Sequence, residues 1–169
     1  FLWAIDRLAS RPPQDVPGVR ILYISPLKAL GVDVERNLRA PLAGIMRTAQ
    51  ASGEPAREVS IGVRSGDSTS AERRRLIAHP PEILITTPES LFLLLTSAGG
   101  SILSTVDTVI IDEIHALADD KRGSHLSLSL ERLDAALEAP AQRIGLSATV
   151  RPIEEVARHL GGADPVTVV

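Results

Sequence analysis

The run Val109-Ile110-Ile111-Asp112-Glu113-Ile114-His115 ends an apolar stretch in two adjacent carboxylates, with an imidazole two residues further on. Acids placed where a buried strand runs out can hold a divalent cation and take a proton from water, the two acts that phosphate chemistry needs. A plainer reading is that Asp112 and Glu113 open the segment that follows, since acids favour a helix first turn. Other short polar groups also stand at the ends of apolar runs: Ser25-Pro26, Arg64-Ser65-Gly66-Asp67, Thr87-Pro88-Glu89 and Ser147-Ala148-Thr149. Taken singly, each is an ordinary helix cap. Gathered on one edge of a parallel sheet, they would surround a pocket with hydroxyls, exposed amides, helix N-termini and two carboxylates.

The elements that must position these groups are legible in the chain. Residues 1–8 have the pattern of an amphipathic helix ending near Ala9-Ser10, and Pro12, Pro13 and Pro17 mark a loop. Val19–Ile24, Val59–Val63, Glu82–Thr86, Thr108–Ile111 and Arg143–Leu146 read as strands, and Val166–Val169 as a sixth. Between them, Leu27, Leu30, Val34 and Leu38 share one helical face, which Pro41 is expected to break or kink before Leu42, Ile45 and Met46. Thr69-Ser70-Ala71-Glu72 has capping-box spacing ahead of a basic helix whose Arg73, Arg74 and Arg75 read as a solvated face. Thr87-Pro88-Glu89 supplies an N-cap, an N1 proline and a first-turn acid. A helix bearing Leu126, Leu130, Leu133 and Leu137 should end near Pro140, and a last one should run from Pro152 to Gly161-Gly162. Alternating strands and helices predict an α/β fold with a mostly parallel sheet covered on both faces.

At 169 residues, with 44% hydrophobic and 23% charged residues, the chain fits one globular domain of average composition, so neither disorder nor a membrane protein is indicated. No stretch approaches a membrane span and no basic-then-apolar leader is present, so the cytoplasm is the default location. The absence of cysteine excludes disulfides, thiolate metal sites and thiol nucleophiles. A net charge of −3 argues against holding nucleic acid by bulk charge; any grip on a phosphate backbone must be local.

Together the strand-end segments resemble the first RecA-like domain of superfamily 2 helicases, and in particular the Lhr (large helicase-related) family. Ser25-Pro26-Leu27-Lys28-Ala29-Leu30 matches motif Ia, Thr86-Thr87-Pro88-Glu89-Ser90 motif Ib, Asp112-Glu113-Ile114-His115 motif II and Ser147-Ala148-Thr149 motif III. The resemblance spans nearly the whole chain, and Lys121-Arg122-Gly123-Ser124-His125-Leu126 looks specific to Lhr. It implies a RecA-like, three-layer α/β/α domain of P-loop NTPase type, using ATP and Mg²⁺. Asp112 would help hold Mg²⁺ with Glu113 nearby, and Glu113 would orient and deprotonate the attacking water. His115 would couple the nucleotide site to its neighbours, while Ser147 and Thr149 would link ATP state to domain movement. Ser25, Pro26, Leu27, Lys28, Gly66, Asp67, Thr87, Pro88 and Glu89 would form a face that grips one nucleic-acid strand without reading its bases. The implied partners are single-stranded DNA or an RNA:DNA hybrid, and a second RecA-like domain and accessory domains of the same parent, which would translocate 3′-to-5′ and unwind duplexes.

The chain departs from the family in one respect: it holds no G-x-x-x-x-G-K-[ST] loop. In the family that loop immediately precedes the helix to which residues 1–8 correspond, so truncation just inside it is expected, and these 169 residues alone should not hydrolyse ATP. Three rivals stay in view. A nucleotide-free RecA-like binding module would keep Asp112 and Glu113 without catalysis. A receiver-like phosphoacceptor needs acids after the first strand, where Ser25-Pro26 stands; a zinc hydrolase needs H-E-x-x-H spacing, which His115, His125 and His159 lack.

Overall fold

The computed structural model describes the chain apart from residues 1, 11, 13–15, 27, 54–56, 118–120, 149–151 and 163, and of residues 28–33 the backbone alone. Helix α1 (Leu2–Ala9) leads to strand β1 (Ile21–Ile24), helix α2 (Lys28–Ser52) and strand β2 (Ile61–Arg64). Helix α3 (Ser70–Ala78), strand β3 (Ile83–Thr86) and helix α4 (Pro88–Leu95) follow, then a 3-10 segment over Ala98–Leu103 and strand β4 (Thr108–Ile111). Helix α5 (Lys121–Asp134), strand β5 (Gln142–Gly145) and helix α6 (Ile153–Gly161) complete the order.

The strands form one sheet in the order β2-β3-β1-β4-β5, and every pairing is parallel. β1 therefore lies at the centre: the chain steps from it to β2 at the edge, returns to β3 beside β1, and then crosses to β4 and β5 on the other side. That crossing is the point at which doubly wound sheets open a crevice. The register places Arg64, Thr86, Ile24, Ile111 and Gly145 side by side, so all five strands stop flush.

Alternation along the strands divides the core in two. Ile21, Tyr23, Ile83, Ile85 and Ile110 face α1 and α2 through Ile5, Leu8 and Leu38. Leu22, Ile24, Leu84, Val109 and Ile111 face α4, α5 and α6 through Leu91, Leu94, Leu126, Leu130 and Leu160. The central strands are buried on both faces, which explains their continuous apolar runs. Among the described residues no helix is long and apolar enough to cross a membrane.

The elements expected from sequence are present, with three corrections. α2 runs through Pro41 without a break: the missing amide costs about 3 kcal/mol, but Leu38 is buried in the core and Val34, Leu42 and Ile45 pack against it on both sides of the proline. α5 ends at Asp134 rather than near Pro140, because Asp134 turns back to accept from the Ala141 amide at 3.2 Å and to pair with Arg143 at 2.6 Å. Val166–Val169 is not a strand; Val166 packs its side chain on the core while the rest of the segment is exposed, and among the described residues no strand pairs with it. Strand boundaries also move by one or two residues, as with β2, which begins at Ile61 rather than Val59.

Candidate functional site

The flush strand tips bring most of the sequence-predicted residues onto one edge. Asp112 follows β4 directly, and its amide donates to the Ile24 carbonyl at 2.8 Å, so the end of β1 holds it. Its carboxylate is anchored at both oxygens. The Tyr23 hydroxyl donates to Oδ2 at 2.5 Å and the Glu113 amide to Oδ1 at 3.0 Å. Burial first, and then the facing carboxylate, push the Tyr23 phenol far above its ordinary range, so it stays a donor at any working pH.

Glu113 adopts φ 47° and ψ 41°, the single left-handed non-glycine backbone among the described residues. That conformation costs an L-residue about 1–2 kcal/mol. It is held by the bond to Asp112 and by those on either side of the turn: the Ile114 amide donates to Leu146 at 3.0 Å and the Ala116 amide to the Glu113 carbonyl at 2.8 Å. The result aims the half-exposed Glu113 side chain away from the sheet, beside His115.

His115 Nδ1 lies 3.3 Å from Glu113 Oε2, 3.3 Å from Ser147 Oγ and 3.3 Å from the Ala148 amide nitrogen. An amide can donate to Nδ1 only when that nitrogen is unprotonated, whereas a carboxylate attracts it only when protonated. The imidazole thus stands between two mutually exclusive partners, one in the acidic segment and one after β5. Ser147 itself is exposed and donates to the Ala148 carbonyl at 2.8 Å. Thr149 and Leu27 lie outside the described residues, as does the side chain of Lys28.

The remaining candidates divide by exposure. Gly66, Asp67 and Glu89 are exposed at the edge; Ser25, Pro26, Thr87 and Pro88 are buried. The Thr87 hydroxyl accepts from the Ser90 amide at 3.3 Å and so caps α4. The capping box at α3 forms as its spacing predicts, with Glu72 donating its amide to Thr69 at 3.2 Å and accepting from the Thr69 amide at 2.7 Å.

Three residues that sequence reasoning passed over join the site. Tyr23 read only as part of an apolar strand. Arg122 donates Nε to Glu89 at 2.6 Å and a terminal nitrogen to the Pro26 carbonyl at 2.8 Å, tying the end of β1 to the start of α4. Burial works against the ionised Glu89, but the hydrogen bonds from Arg122 and the surrounding backbone hold its carboxyl below the usual range. Arg73 departs from the solvated face expected of it: its Nε is buried without an acceptor, while Arg74 and Arg75 are exposed. The Arg122 and Tyr23 contacts span 96 and 89 residues, so no local pattern could have announced them.

Comparison with known proteins finds relatives in sequence and in fold. The DEAD/DEAH box helicase model matches residues 1–156. The Lhr helicase/probable uracil glycosylase of Mycolicibacterium smegmatis is 63% identical over the whole chain, which covers 11% of that protein. The Lhr helicase/uracil glycosylase of Escherichia coli is 55% identical, again over the whole chain and 11% of its own length. The solved structure of Mycobacterium smegmatis helicase Lhr bound to ssDNA and AMP-PNP superposes with a TM-score of 0.93 at 64% identity, covering all of this chain and 21% of that one. The chain thus spans about a tenth of the length of these curated relatives.

Proposed function

Because the chain belongs to the DEAD/DEAH box helicase family and has the RecA-like fold of its helicase domains, we propose that it forms part of an ATP-dependent helicase or translocase acting on single-stranded DNA or an RNA:DNA hybrid. The observation that carries this reading is the convergence at the strand tips, where His115 lies 3.3 Å from both Glu113 and Ser147 beside an anchored Asp112. In this reading Asp112 takes part in holding Mg²⁺, and Glu113 orients the attacking water and accepts its proton. The donor set suits that ion: Mg²⁺ is bound through one or two carboxylates plus substrate phosphates and water, and among the described residues there is no closed cage of three or more acids or imidazoles. When bound, Mg²⁺ would neutralise charge developing on the phosphates.

His115 would report the state of Glu113 to Ser147 and Thr149 by exchanging its Nδ1 partner. The nucleic-acid face is assigned to Ser25, Pro26, Leu27, Lys28, Gly66, Asp67, Thr87, Pro88 and Glu89. In the conformation described, its exposed members Gly66, Asp67 and Glu89 can meet a strand directly, while Ser25, Thr87 and Pro88 shape the backbone beneath. A second RecA-like domain and accessory domains of the parent would complete the machine. The direct test is ATP hydrolysis by the full-length protein with and without single-stranded DNA, together with displacement of a duplex bearing a 3′ tail. Stimulated turnover and strand separation are expected; turnover indifferent to nucleic acid would end the reading.

Tyr23 supplies a sharper check. Its hydroxyl orients Asp112 from behind, and partners of this kind typically alter metal affinity by about 10-fold or more when removed. Tyr23→Phe should therefore raise the Mg²⁺ concentration needed for half-maximal ATPase activity by about that factor. An unchanged Mg²⁺ titration would assign Tyr23 to packing alone.

A further inference from the structure

The arginines that are partly withdrawn from water in this chain generally have acids beside them. Arg57 meets Glu82 at 2.6 Å, Arg122 meets Glu89 at 2.6 Å, Arg143 meets Glu131 and Asp134 at 2.9 and 2.6 Å, and Arg7 lies 3.5 Å from Asp107. Arg20 donates instead to the Thr105 and Val16 carbonyls at 3.3 and 2.9 Å, whereas Arg64 has neither kind of partner. Arg64 is 7% exposed, and its guanidinium nitrogens keep contact with water but have no carboxylate, carbonyl or hydroxyl partner among the described residues. Burial first and the like charge of Arg73 on α3 second lower the guanidinium from its ordinary value. Arg73 repeats the anomaly, since its Nε is buried and unsatisfied while a terminal nitrogen donates to the Gly66 carbonyl at 3.0 Å.

A guanidinium does not shed its proton to relieve such a position. Withdrawing most of the residue from water with no counter-charge is unfavourable, and placing a second cation beside it is more so, so the arrangement favours an anion that can reach the nitrogens still open to water. The anion would meet a planar donor fork suited to phosphate. Position selects which phosphate. Arg64 ends β2, an edge strand three places from β4, so at the usual strand spacing it stands about 14 Å from the tip carrying Asp112. With β3 and β1 between it and Asp112, Arg64 instead stands directly before Gly66 and Asp67 on the same flush edge.

We propose that Arg64 and Arg73 form a phosphodiester-binding site at the tip of β2, a contact for the bound strand beyond those assigned to the motif Ia and Ib segments. This inference rests on the nucleic-acid reading given above and names a particular grip within it. The Thr86 hydroxyl, donating to the Arg64 carbonyl at 2.9 Å, locks the arginine backbone for that purpose.

The test uses the full-length protein and an unstructured single-stranded oligonucleotide, with affinity followed by fluorescence anisotropy across a salt series. Arg64→Met and Arg73→Gln should each weaken binding by about 10-fold, and each should reduce the slope of log affinity against log salt by about one. Arg74→Gln, on the exposed side of α3, should bind as the parent does, and nucleotide affinity should be the same in all variants. Thermal melting separates grip from scaffold: removing an unpaired buried charge should leave the melting temperature of free Arg64→Met equal to the parent's or above it. Parent-like affinity and salt slope in both variants would overturn the proposal, as would weaker binding accompanied by a lowered melting temperature and an unchanged slope. If Arg64→Met does not fold, Arg73→Gln decides by the same criteria. Failure of the unmodified protein to bind any strand would instead overturn the nucleic-acid reading itself.

Discussion

Replacing Glu113 by Gln in the full-length protein should lower kcat for ATP hydrolysis by about 100-fold or more while leaving ATP affinity nearly unchanged. The substitution keeps size, hydrogen-bonding reach and the left-handed backbone, and removes only the capacity to take a proton. Asp112 stays anchored, because its two donors are the Tyr23 hydroxyl and the backbone amide of residue 113, neither of which depends on the Glu113 side chain. A ground-state binding assay with a non-hydrolysable nucleotide should therefore read as in the parent, and single-turnover hydrolysis should carry the whole loss. A variant with normal turnover would remove Glu113 from the chemistry. One with equally impaired binding would show that its carboxylate serves the ground state.

Gly123→Ala should destabilise the protein by about 3 kcal/mol, seen as a melting temperature lower by roughly 6–12 °C for the unit that contains it. In an isolated helix the change would be favourable by about 1 kcal/mol. Here a Cβ at position 123 falls 1.8 Å from the Leu117 carbonyl oxygen and 2.8 Å from its carbon, and both are backbone atoms that cannot swing aside. The collision outweighs the propensity gain, so the start of α5 must back away. Arg122, one residue earlier, would then be drawn off Glu89 and the Pro26 carbonyl, and affinity for a single strand should fall alongside stability. Retention of the parent melting temperature would mean that α5 seats itself differently in solution.

How much of this was legible beforehand follows from the range over which each signal acts. The five strands are apolar runs bounded by Pro, Gly and polar residues, and their burial on both faces leaves that imprint in consecutive positions. The capping box at Thr69 and the cap at Thr87 are equally local and equally readable. Of the break or kink expected at Pro41, the break does not occur, because the cost of the proline is local whereas the packing of Leu38, Leu42 and Ile45 that outweighs it is tertiary. Val166–Val169 misled for the opposite reason: β propensity is a preference for a partnered surface, and among the described residues that segment has no partner strand. At the site, residue types pointed to Asp112 and Glu113. The phenol behind Asp112 and the unpaired charge of Arg64 depend on what lies across the sheet, or fails to, and nothing in neighbouring positions encodes that.

The central place of β1 also bears on how the molecule is made. Its two edges are satisfied by β3 and β4, whose first residues, Ile83 and Thr108, lie 62 and 87 positions downstream of Ile21. A ribosome adding about 5–20 residues per second needs about 4–17 s to cover the longer interval. Throughout it, Ile21-Leu22-Tyr23-Ile24 is an apolar ribbon with open hydrogen-bonding edges, the kind of surface that recruits chaperones or neighbouring nascent chains. Expression pieces that stop short of Ile111 should for this reason be insoluble, and slowing elongation through residues 25–107 should deepen the dependence on chaperones.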